Sequence, residues 1–76
     1  SKPFVFHPNP ARDIMFVKSS TSKKVEVLEM FNLSGKKVLI FLSNVGQVDL
    51  TKLSEGIYLI RSKNNLMSPQ KIIITK

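Results

Sequence analysis

Turn signals recur roughly every 8 to 12 residues along this sequence, which is the rhythm of a β-sandwich or barrel. Between them no stretch carries the i, i+3, i+4, i+7 apolar spacing of an amphipathic helix, and β-branched and aromatic residues are spread throughout. Pro8-Asn9-Pro10 forbids a continuous strand across it and reads as a stiff loop. Asn32-Leu33-Ser34-Gly35 reads as a tight hairpin turn with Gly35 free to take positive φ, and Asn44-Val45-Gly46 and Asn64-Asn65 read as two more turns of that kind. Ser54-Glu55-Gly56 ends a longer connection.

These breaks leave seven candidate strands: Phe4–His7, Ile14–Lys18, Lys24–Phe31, Lys36–Leu42, Gln47–Leu50, Ile57–Lys63 and Gln70–Thr75. Seven short strands in 76 residues fit a two-sheet sandwich better than a closed barrel. The expected fold is all-β, a seven-stranded immunoglobulin-like antiparallel β-sandwich. In the third strand Val25 and Val27 share one face while Leu28 and Met30 share the other, which predicts either a bulge near Val27 or a strand covered on both faces.

A chain of this length makes one domain and buries only roughly 60% of the surface its unfolded form exposes, so its stability is marginal. Residues 1–10 read as the end of a linker plus the first strand, and residues 4–76 as the single domain. There is no initiator Met and no signal peptide, and the chain is read as a fragment of a longer protein with Lys76 a candidate true C-terminus. The longest apolar run, Val38 to Leu42, has strand length and falls far short of a membrane-spanning helix. Cysteine is absent, which excludes disulfides and thiolate metal sites. The net charge of +7 favours anionic surfaces, whether nucleic acid, acidic polysaccharide or lipopolysaccharide, without choosing among them.

The inventory for catalysis is thin. His7 is the only histidine, with no serine or orienting carboxylate marked as its partner. Glu26 and Glu29 are the closest acidic pair, yet three residues apart on a regular strand they face opposite sides. Three isolated glycines make no phosphate loop. No catalytic, metal or cofactor-binding residue is expected. Nucleic-acid binding through a strand face needs exposed aromatics for base stacking. Phe4, Phe6, Phe31, Phe41 and Tyr58 lie among aliphatics and read as core, leaving only Phe16, near Lys18, to stand exposed. No specific nucleic acid is expected as a partner.

Leu53-Ser54-Glu55-Gly56-Ile57-Tyr58 has the form L-x-x-G-x-Y, close to the tyrosine corner of immunoglobulin-like sandwiches. In that motif a Tyr hydroxyl bonds upstream backbone and pins a crossover. Leu53, Gly56 and Tyr58 are therefore expected to be structural.

The order of motifs carries a resemblance. Pro8-Asn9-Pro10-Ala11 is followed by Val27-Leu28-Glu29-Met30-Phe31-Asn32-Leu33-Ser34-Gly35-Lys36-Lys37-Val38. Val48-Asp49-Leu50, Leu53-Ser54-Glu55-Gly56-Ile57-Tyr58-Leu59-Ile60 and Gln70-Lys71-Ile72-Ile73-Ile74-Thr75-Lys76 complete the series. From Pro8 to Lys76 the chain resembles the type A C-terminal sorting domain of the type IX secretion system, the Por secretion tail family of exported Bacteroidetes proteins. Each motif alone is weak; their order and spacing together are specific.

The resemblance implies an address label. A passenger protein N-terminal to the domain crosses the inner membrane into the periplasm, and the folded domain is recognised by outer-membrane components of the translocon. The cargo reaches the cell surface or medium, and a sortase-like peptidase commonly removes the label there. Matching positions make Gly35, Lys36, Val38, Gly56, Tyr58, Lys71, Ile72, Ile73, Ile74, Thr75 and Lys76 the candidates for translocon recognition. Lys71–Lys76 alternates apolar groups between flanking charges, and as a sheet edge it can be offered to a partner strand. The positive charge adds a contact with anionic lipopolysaccharide as an expected partner. The competing reading is an accessory immunoglobulin-like binding module for polysaccharide or protein, which needs a row of exposed aromatics or a calcium site.

Overall fold

The computed structural model describes residues 4–19, 24–64 and 67–76. Seven strands run in the order β1 (Phe4–His7), β2 (Ile14–Ser19), β3 (Val27–Asn32), β4 (Lys37–Leu42), β5 (Gln47–Asp49), β6 (Gly56–Ser62) and β7 (Gln70–Ile74). They form two antiparallel sheets, three-stranded β1-β2-β5 and four-stranded β4-β3-β6-β7. This is consistent with an immunoglobulin-like sandwich, in which the tyrosine-corner strand lies centrally in one sheet, as β6 does here.

Alternation along each strand builds the core. Phe4 and Phe6 of β1, Met15 and Val17 of β2, and Val48 of β5 point inward from the smaller sheet. They meet Leu28, Met30, Tyr58, Ile60, Ile72 and Ile74 from the larger one. Gln70 ties the layers by donating from Nε2 to the Phe4 carbonyl at 3.0 Å. Leu50, just past β5, is fully buried and closes one end.

Three expectations change. The stretch 43–46 is not a hairpin: β4 and β5 belong to different sheets, so the chain crosses between layers there. Of the two readings of β3, coverage on both faces is the one found, since Leu28, Glu29 and Met30 are all buried; the register shift lies at Met30/Phe31 and not near Val27, with Val38 the extra residue on the β4 side. Val25 drops out of phase because the strand starts only at Val27, not at Lys24. Asn65 lies outside the described residues, so the expected Asn64-Asn65 turn is not described.

Candidate functional site

The register of the larger sheet gathers the motif residues at one end. Asn32 pairs with Tyr58, Tyr58 with Ile72, Gly56 with Ile74 and Phe31 with Lys37. The exit of β3, the entry of β4, the entry of β6 and the exit of β7 therefore lie side by side. Three segments distant in sequence meet there: 32–38, 53–58 and 71–76.

The β3–β4 turn is set by Asn32. Its carboxamide oxygen accepts from the Ser34 and Lys36 amides at 2.9 and 3.0 Å, and its carbonyl accepts from Gly35 N–H at 3.0 Å. Gly35 holds φ of +89°, a value that costs an L-residue strain, and its side stands open to solvent. Lys36 is left exposed at the tip, just before β4, whose second residue, Val38, is half-buried against the core.

On β6 the tyrosine corner is formed: the Tyr58 hydroxyl donates to the Ser54 carbonyl at 2.6 Å. Tyr58 is otherwise buried, so this bond satisfies its one polar group. Gly56 has φ of +154°, and a Cβ there would meet only the Tyr58 ring at 3.9 Å. Glycine is required here by the backbone and not by crowding. Leu53 is half-buried against the core and bonds back to the Leu50 carbonyl at 3.0 Å.

The last strand holds a finding that sequence reasoning missed. β7 is an edge strand of its sheet, as expected, yet its outer side is closed. Asn9 Nδ2 donates to the Lys71 carbonyl and Asn9 Oδ1 accepts from Ile73 N–H, both at 2.9 Å. Ala11 continues the seal, its N–H to Ile73 carbonyl and its carbonyl to Thr75 N–H at 2.8 Å, in a parallel bridge. The Asn9 side chain stands in for a strand, and the main chain of Lys71, Ile73 and Thr75 is not open for augmentation. Ile72 and Ile74 are buried as well, leaving Lys71 of the strand, and Thr75 and Lys76 just past it, exposed.

Lys76 is a fastening. Its ammonium donates to the carbonyls of Arg12 and Leu50 at 3.1 Å and faces Asp13 at 3.7 Å, while its amide donates to Glu55 Oε1 at 3.1 Å. One residue thus joins the β1–β2 connection, the end of β5 and the tyrosine corner.

The acidic groups are engaged within the chain. Glu29, almost fully buried on the outer face of the larger sheet, pairs with Lys37 at 2.7 Å. That hydrogen bond, with the nearby Lys37, Arg61 and Lys63 charges, holds its carboxyl below the ordinary range despite burial. Thr51 does the same for Asp49 through its hydroxyl and N–H at 2.6 and 2.8 Å. Glu26 accepts from Asn64 at 3.0 Å. Glu26 and Glu29 are thus held by separate partners. His7 stacks on Phe16, ring centres 5.5 Å apart, and no cluster able to hold a metal ion occurs among the described residues. Phe31 departs from its expected core position: it lies on the outer face, half-buried, with the Arg61 guanidinium 4.6 Å over its ring. An open hollow of about 260 Å³ beside it is lined by Phe31, Leu33, Leu59, Arg61 and Pro69 among others.

The family model described as "Secretion system C-terminal sorting domain" matches residues 5–76, and the chain belongs to that family, the sorting domains of type IX secretion. No curated protein and no solved structure matches the chain. The domain is accordingly a sorting signal and not a catalyst, one that implies export to the cell surface or the extracellular space by the type IX machinery.

Proposed function

We propose that the domain is read in folded form by outer-membrane components of the type IX translocon, after its N-terminal passenger has reached the periplasm, and that a sortase-like peptidase removes it at the surface. What supports this reading is the meeting of segments 32–38, 53–58 and 71–76 at one sheet end, since these hold the motifs on which the sequence resemblance rests, within the matched residues 5–76. Within it, Gly35, Lys36, Lys71, Thr75 and Lys76 are accessible and form the contact surface. Tyr58, Ile72 and Ile74 are buried and give that surface its shape, with Val38, Gly56 and Ile73 supporting it. Lysines without a carboxylate opposite supply charge for a contact with anionic lipopolysaccharide.

A reporter carrying a periplasmic signal, fused ahead of this domain in a host with a working type IX apparatus, is expected at the surface or in the medium. Lys36→Ser with Lys71→Ser removes accessible charge and leaves the Lys76 fastening intact. With its melting transition preserved, that variant is expected to export poorly. Retention of the intact fusion in the periplasm would refute the sorting reading. Normal export of the folded double variant would move recognition away from these lysines.

A further inference from the structure

β4 differs from every other edge of the sandwich. β7 is sealed by Asn9 and Ala11, and β1 and β5 are only four and three residues long. Short or covered edges resist pairing with foreign strands. β4 has six residues, Lys37-Val38-Leu39-Ile40-Phe41-Leu42, with no proline and no charge after Lys37, and no strand on its outer side among the described residues.

Its outward groups follow from ladder parity. Ser43 N–H bonds to the Glu26 carbonyl at 2.9 Å, so with this register Phe41 and Leu39 turn their main chain toward β3. Ile40 N–H and carbonyl, and Leu42 N–H, point away, and no described residue bonds Ile40 there. Both faces of the strand are also under-covered. Ile40 and Leu42 are 56% and 49% exposed on the outer face. Leu39 and Phe41 are only half-buried on the inner face, because a three-stranded sheet does not reach across a four-stranded one.

The surroundings are positive. The acids of this region are Glu26, which accepts from the neutral Asn64 amide, and Glu29, which pairs with Lys37. Lys36 just before β4, Lys37 at its start, and Arg61 and Lys63 on the β6 side are four cations that outnumber these two acids, and Glu29, opposite Arg61, is already paired with Lys37. A second copy of the chain would bring +7 against +7. We propose that β4 receives an extended segment of a partner protein, alternating apolar residues with carboxylates, as a fifth strand of the larger sheet. This rests on the sorting reading for the partner's identity as a component of the export apparatus. Main-chain bonds would supply affinity, and the apolar and acidic side chains would supply choice of partner.

Ile40→Pro is the direct test, because it removes an outward N–H and takes no bond from β3. Ile40→Thr keeps the N–H and the β-branched shape. In a host that exports the intact fusion, folded Ile40→Pro is expected to lose export about tenfold, the effect of losing one or two main-chain bonds, while Ile40→Thr stays within about twofold. Unchanged export of folded Ile40→Pro overturns the proposal, whereas failure of the intact fusion strikes the sorting reading instead. A second measurement needs neither export nor the proline variant. An eight-residue peptide alternating Glu and Val is expected to slow amide exchange at Ile40 and Leu42, with the effect weakening as salt rises. No slowing there, equal slowing by a Lys/Val peptide, or self-association of the chain through β4 each overturns it. So does equal slowing by anionic vesicles, which would make the surface a lipid contact.

Discussion

Asn9 carries a heavier load than an exposed loop residue usually does. Asn9→Ala deletes the donor to Lys71 carbonyl and the acceptor from Ile73 N–H, two bonds of 2.9 Å that span more than sixty residues of sequence. A net hydrogen bond contributes about 1 kcal/mol, so the pair is expected to contribute about 2 kcal/mol. For a domain of this size that corresponds to a fall in melting temperature of roughly 8 to 16 °C. It is a large share of a total stability of order 5 kcal/mol. Both bonds lie at the surface, where water replaces the lost partner, so the cost should not exceed that range. Asn9→Asp is the informative companion: it keeps an acceptor for Ile73 N–H but turns a second acceptor toward the Lys71 carbonyl, and should cost at least as much as losing one bond. Denaturant titration measures the total, and amide exchange locates it. Ile73 should lose protection beyond the loss expected from global stability, and Ile72, bonded on the opposite side, should not. An Asn9→Ala midpoint equal to wild type, with Ile73 exchange unchanged, would refute the view that this side chain seals the edge.

Tyr58→Phe removes the bond to the Ser54 carbonyl and keeps the ring, so a loss of about 1 kcal/mol is expected in the denaturation midpoint. Gly56→Ala should destabilise by about 1 to 3 kcal/mol from backbone strain alone, because the nearest atom to a Cβ is at ordinary contact distance; a neutral substitution would show that φ relaxes without cost. Glu29 and Asp49 have carboxyls held below their ordinary values of 4.5 and 3.8, chiefly by Lys37 and Thr51, so folding binds fewer protons than unfolding. Their contribution is complete above about pH 5 and is lost as pH falls through the depressed values, a slope that melting curves against pH should show and that Glu29→Gln should flatten.

The strands were legible because their boundaries are written in local chemistry. Gly35 and the Asn32 carboxamide make a hairpin without help from elsewhere, and Leu53 to Tyr58 names its own corner. Which sheet a strand joins is not local. Asn44-Val45-Gly46 has the residues of a hairpin turn, yet it carries the chain across the sandwich, since the same φ-tolerant residues serve both paths. Phe31 reads as core by its type, but the register shift beside it and its place opposite Leu59 leave it outside under Arg61. The role of Asn9 was hidden for a different reason. Pro8-Asn9-Pro10 reads correctly as a stiff loop, but nothing in the loop says that its amide faces a strand at the far end of the chain. Lys76, read only as a charge flanking the last strand, is drawn down onto two carbonyls for the same non-local reason.

The seal on β7 bears on what kind of signal the proposed recognition uses. As a linear peptide, Lys71–Lys76 would offer three isoleucines and a full set of main-chain groups. Folded, it withholds Ile72 and Ile74, bonds the outward main chain of Lys71, Ile73 and Thr75, and pins Lys76 at both its amide and its ammonium. A partner that captured the strip as an extended strand would first have to break the Asn9 and Ala11 bonds and draw Lys76 off the Arg12 and Leu50 carbonyls. A partner that read the folded end would break none of them. The two modes answer Asn9→Ala in opposite ways, because opening the seal assists a reader of the strand and weakens the surface for a reader of the fold. The second mode also accounts for why so much of the motif is spent on residues a partner cannot touch: Tyr58, Ile72 and Ile74 act through the shape they impose, and the accessible lysines gain their positions from that shape.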